Sequence, residues 1–135
     1  MDILLNYQGL IILNFQDIFS YFQNPPPIYL HREAAVCCIL TILINNGESY
    51  GSALMQYVET EYPPYRLSDT VLYNALNFLT HEGIITSYWK NFPGRGRPRR
   101  MLIIPSSRLD EANQLSKLWL EFLELNSRKY ALATI

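Results

Sequence analysis

The stretch SDTVLYNALNFLTHEGIITSYWKNFPGRGRPRRMLII, residues 68–104, decides the fold of this 135-residue chain. Ser68 is a residue type whose side-chain oxygen accepts from the N–H groups that the start of a helix leaves free. Leu72, Ala75, Leu76 and Leu79 then recur at i, i+3, i+4 and i+7, which makes one inward helical face and leaves Thr70, Tyr73, Asn74, Asn77 and Thr80 on the other. Gly83 supplies tolerance of positive φ where the helix stops, and Ile84 opens a β-rich run through Tyr88, Trp89 and Lys90. A turn at Pro93-Gly94-Arg95-Gly96 returns the chain as a strand from Met101 to Ile104.

Upstream of this helix and hairpin, the sequence from about Arg32 to Asn45 is apolar on nearly every face and Asn46-Gly47 ends it, as expected of a buried helix. Ser49 is placed to cap a second, short helix with Leu54, Tyr57 and Val58 as its apolar stripe, stopped by Pro63-Pro64. Downstream, Ser107 with Asp110 resembles a capping box that opens a last helix to about Ser127. Its broad apolar side, with Leu115, Leu118, Trp119, Phe122 and Leu123, needs something to cover it. The segment before Asn24 is apolar, with Phe15, Ile18, Phe19 and Phe22 at helical spacing, and leads into Pro25-Pro26-Pro27. It reads as a helical arm, packed on its own domain or on a partner subunit, followed by a stiff linker.

Three helices followed by a β-hairpin are the order of a winged helix-turn-helix, in which the third helix enters a DNA groove. The expected fold is therefore mainly α with a small β-hairpin. Residues 1–31 form the arm and linker, 32–106 a winged-helix DNA-binding domain, and 107–135 a C-terminal dimerisation helix and tail.

Composition narrows the function. With 49% hydrophobic and 17% charged residues the chain has enough apolar content for a core, and its net charge of -1 argues against coating nucleic acid through bulk charge. Positive charge is instead local: between Ile84 and Ile104 there is no Asp or Glu, while Lys90, Arg95, Arg97, Arg99 and Arg100 all fall there. Adjacent Cys37 and Cys38 in an apolar run suit neither a disulfide framework nor a metal site, and a reducing cytoplasm fits them best. The apolar start lacks a basic region and carries Asp2, so it reads poorly as a signal peptide. No run is long enough to span a bilayer. Phosphate loops, nucleophile elbows and metal-ligand spacings are missing from the sequence, so neither an enzyme nor a cofactor is expected.

The strings Ser49-Tyr50-Gly51, Leu72-Tyr73 with Leu76, Glu82-Gly83-Ile84-Ile85 and Gly96-Arg97-Pro98-Arg99-Arg100 together resemble the PadR family of transcriptional regulators, over roughly Ala34 to Leu125. The resemblance implies a repressor that binds double-stranded DNA as a homodimer through its terminal helix. The apolar arm also resembles that of a clock-associated member of the family, which implies circadian clock gene control. Some relatives respond to phenolic compounds, so Trp119 and Phe122 lining a pocket for a small aromatic effector is a second reading of that stripe. Interface is the commoner use of such spacing.

The expected DNA contacts are Ser68, Thr70, Tyr73, Asn74 and Asn77 on the third helix, Ser49 and Tyr50 through backbone N–H groups at the second helix start, and Lys90, Arg95, Arg97, Arg99 and Arg100 in the wing. Tyr73 is either a phosphate contact or a half-buried packing residue. Asn74 and Asn77 stand where family members often carry Pro and basic residues, and Asn pairs with the N6 and N7 edge of adenine, so an operator rich in A·T pairs is expected. Strand alternation puts Arg99 and Arg100 on opposite faces, which favours Arg97 and Arg99 as the contacts. The competing reading is a protein-interaction module that uses the arm and terminal helix, with no direct DNA readout.

Overall fold

The computed structural model describes residues 12–94 and 96–133. The first element, α1 (Phe15–Gln23), has a capping box: the Asn14 side chain accepts from the Asp17 N–H at 2.9 Å and the Asp17 carboxylate from the Asn14 N–H at 3.2 Å. None of its residues is buried, so α1 adds nothing to the core. Past the three prolines, β1 (Ile28–Tyr29) pairs in parallel with β2 (Tyr65–Arg66), and the buried Leu30 donates its N–H to the Arg66 carbonyl at 3.0 Å. The sequence reading missed this ladder, because two-residue strands carry no alternation to detect.

The core surrounds α2 (Arg32–Asn46), buried from Cys37 through Leu43 and ended by Gly47 at φ 82°. α3 (Gly51–Glu61) begins one residue later than expected: Tyr50 is its N-cap and makes no side-chain cap bond. Ser49 is no cap, because its backbone is used in a bridge to Leu102, donating its N–H at 3.2 Å and accepting at 2.7 Å. That bridge fastens the α2–α3 connection to the hairpin.

α4 (Asp69–His81) starts as the sequence predicts, with the Ser68 hydroxyl accepting from the Val71 N–H at 3.3 Å and Leu72, Ala75, Leu76 and Leu79 buried. Gly83 follows at φ 74°. β3 (Thr86–Lys90) and β4 (Arg99–Ile103) form the antiparallel hairpin, in register from Thr86 opposite Ile103 to Lys90 opposite Arg99.

α5 (Leu109–Ala133) follows a 3-10 turn, Ser106–Arg108, that contains Ser107, so the anticipated capping box is replaced by a different start and the helix extends past Ser127. Arg108 anchors this start: it donates to both oxygens of Glu111, at 2.7 and 2.9 Å, and to the Glu82 carbonyl at 2.8 Å. The fork geometry of a guanidinium suits this double contact.

The expected interface stripe on α5 divides. Trp119 is 1% exposed and belongs to its own core, edge-on to Tyr62 and Tyr65 with ring centroids at 5.3 and 5.7 Å and stacked on Phe122 at 5.6 Å. Enclosed in this way, it is a core residue of the single chain rather than an exposed part of the stripe. Leu115 and Leu123 pack partly against the same core, while Leu118 and Phe122 are exposed, together with Leu120 and Leu125. Among the described residues no helix is long and apolar enough to cross a membrane.

Candidate nucleic-acid interface

Burial of the four-residue apolar stripe turns the opposite side of α4 outward: Thr70, Tyr73, Asn74 and Asn77 are all exposed, Tyr73 at 61%. Its ring is thus available rather than packed. Asn74 lies toward α2 and α5, where with Phe78, Val36, Cys37, Leu115 and Leu118 it lines an open groove of about 640 Å³. Helical spacing therefore groups Thr70, Asn77 and Tyr73 away from the groove and leaves Asn74 at its edge. Ser68, at the head of the helix, already uses its oxygen as a cap.

The wing begins beyond the register pair Lys90–Arg99 and turns at Gly94, whose φ of 79° favours glycine. Arg95 lies outside the described residues. Arg97 is exposed, and neither it, Arg99 nor Arg100 is in an ion pair with an acid among the described residues. Arg99 and Arg100 leave opposite faces, as strand alternation requires: Arg100 donates to the Ser87 hydroxyl at 3.0 Å, while Arg99 is half-buried with its guanidinium carbon 4.0 Å from the Tyr50 ring centre and 5.1 Å from that of Phe92.

Lys90 differs from the arginines. Its ammonium lies 3.3 Å from Glu48, which also accepts a hydrogen bond from the Tyr88 phenol. The Tyr88 hydrogen bond, followed by Lys90, holds the Glu48 carboxyl below the usual range, and the same Glu48 contact raises the Tyr88 phenol. Glu48 and Phe92 were not singled out by the sequence. An aromatic residue inside a Gly, Pro and Arg-rich turn was the available signal for Phe92, since such a ring finds cover by stacking on a guanidinium. Ser49 needs correcting too, because its N–H is already donated to Leu102 and cannot hold a phosphate.

Between them, the three helices α2, α3 and α4, the antiparallel wing and the long α5 define a winged-helix fold. Residues 39–104 match the Transcriptional regulator PadR-like family, and the chain belongs to that family. It is similar to the circadian clock associated protein Pex from anabaena, at 48% identity over 85% of this chain and 99% of that one with a TM-score of 0.76. Similarity to Pex from Synechococcus is of the same order, at 50% identity over 82% and 98% of the two chains with a TM-score of 0.77. Bacillus subtilis PadR in complex with operator DNA shares 25% identity over 58% of this chain and 44% of that one, at a TM-score of 0.50. No curated protein matches the sequence.

Proposed function

We propose that the protein is a repressor that binds an inverted-repeat operator as a homodimer and acts in circadian clock gene control. The observation that carries this reading is the placement of wing arginines without acidic partners, among the described residues, beside an α4 whose exposed side carries Thr70, Tyr73 and Asn77. Guanidinium groups left free in this way neutralise phosphates, and amide and hydroxyl side chains read base edges. Asn77 and Asn74 favour adenine, hence an operator rich in A·T pairs. The Bacillus subtilis relative was crystallised with operator DNA, and the Pex relatives supply the clock association.

Homodimerisation rests on α5, where Leu118, Leu120, Phe122 and Leu125 stay exposed outside the side of the helix that packs on α2. Two α4 helices related by a two-fold axis reach major grooves about one helical turn apart. Sequencing genomic fragments retained by the purified protein tests the reading. It predicts enrichment of inverted repeats that is lost with Arg97→Ala and Arg99→Ala; fragments with no shared repeat, or retention indifferent to both substitutions, would contradict it. One observation favours a second contact surface, namely α1 with Phe15, Phe19 and Phe22 all exposed. If the protein were an interaction module instead, partner capture would survive loss of both arginines.

A further inference from the structure

We infer that Tyr50 and Phe92 are positioning residues, which hold the Arg99 guanidinium ready for a backbone phosphate of DNA. The inference rests on the DNA-binding reading above and deepens it. Arg99 sits against two rings from separate elements, the N-cap of α3 and the segment beyond β3, with its carbon 4.0 Å from one ring centre and 5.1 Å from the other. The rings are 6.5 Å apart and tilted by 57°, so they contact the cation from two directions. A guanidinium stacked on a ring through one face keeps the N–H donors of its own plane for another partner. No hydrogen bond or ion pair occupies those donors among the described residues.

The consequence is a cation fixed in place with its donors unspent. A flexible arginine loses rotamer freedom when it grips a phosphate, whereas one already stacked loses less, and the difference appears as affinity. Arg97 has no such ring contact among the described residues. The two arginines therefore divide the work: Arg97 as an adaptable contact, and Arg99 as a fixed one that also sets the wing against the start of α3. Lys90, in register with Arg99, also approaches the Phe92 ring, at 5.4 Å from its centre.

The test is a double-mutant cycle on binding of a labelled mixed-sequence duplex, with thermal unfolding confirming that each variant is folded. Tyr50→Ala and Phe92→Ala are each expected to weaken binding about three- to tenfold when Arg99 is present. Neither should weaken it further in an Arg99→Ala background. Tyr50→Phe, which keeps the ring, should recover the binding that Tyr50→Ala loses. If Tyr50→Ala does not fold, Phe92→Ala completes the cycle by itself. Equal losses with and without Arg99, ring variants that bind like the parent, or a Tyr50→Phe as weak as Tyr50→Ala overturn the inference while leaving DNA binding in place. Full binding by Arg97→Ala and Arg99→Ala overturns both readings.

Discussion

The hydroxyl oxygens of Thr41 and Ser116 lie 2.7 Å apart in the buried seam between α2 and α5, and Thr41 also donates to the Cys37 carbonyl at 2.8 Å. A hydroxyl has one proton, so with Thr41's given to Cys37, Ser116 is the donor of the pair. This polar contact fixes how the long helix lies on an otherwise apolar one.

The two partners are consequently unequal. Thr41→Val strands the Ser116 hydroxyl in the core and should cost about 1–3 kcal/mol, whereas Ser116→Ala leaves Thr41 bonded to Cys37 and should cost about 0.5–1.5 kcal/mol. The double variant should lose less than the sum of the two. Urea unfolding of the three variants measures this, and a Ser116→Ala clearly worse than Thr41→Val would reverse the donor assignment.

Trp119 and Leu118 are neighbours with opposite tasks. Trp119→Ala removes the centre of the aromatic cluster and should cost about 3–5 kcal/mol of stability. Leu118 is exposed on the single chain, so Leu118→Glu should leave unfolding of the protomer almost unchanged and weaken the dimer, as read by sedimentation. A dimer that tolerates the glutamate would move the interface elsewhere on the molecule.

Sequence periodicity made α4 and the hairpin legible because both are local: a cap, a stripe, a glycine and a turn lie within a few residues of the elements they define. Tertiary partners were not legible. Ser49 has the composition of a cap, but Leu102, far away in sequence, takes its backbone into a bridge. Trp119 has the spacing of an interface residue, and only the arrival of Tyr62 and Tyr65 from the α3–β2 region makes it core. For the candidate site, sequence supplied the arginines and the outward side of α4. It did not supply Glu48 and Phe92, whose effects depend on the hairpin folding back over the start of α3.

The cysteines should be slow to react in the native state. Burial pushes the Cys38 thiol up to about 12 from an ordinary 9.0 and raises that of Cys37 as well. Thiol reagents at pH 8 should label Cys38 only as fast as the protein unfolds, and Cys37, on the wall of the open groove, more slowly than a free thiol. Since the folded thiol is the reluctant one to ionise, its contribution to stability is complete below pH 9 and is lost as pH rises toward 12. Rapid labelling of folded protein would reopen a redox role.

Glu48 restrains Lys90, and removing its charge should free the lysine. Glu48→Gln is expected to strengthen DNA binding and to steepen its salt dependence by about 0.9 per subunit if the released ammonium reaches a phosphate. Because the Tyr88 hydrogen bond and Lys90 lower the Glu48 carboxyl, its stabilising effect is present above the ordinary carboxylate range and is lost only as pH falls through the lowered value. Neutral-pH titrations of duplex DNA at several salt concentrations measure the effect, and an unchanged or weaker affinity would show that Lys90 works through Glu48.

The most direct test of the account is the dependence of DNA affinity on salt, with and without the wing arginines. If each subunit engages three or four phosphates, a plot of log affinity against log salt should have a slope of about -5 to -7 for the dimer, becoming shallower by about 2 for each of Arg97→Ala and Arg99→Ala. An affinity that ignores salt, or a slope that neither substitution changes, would contradict binding through the wing.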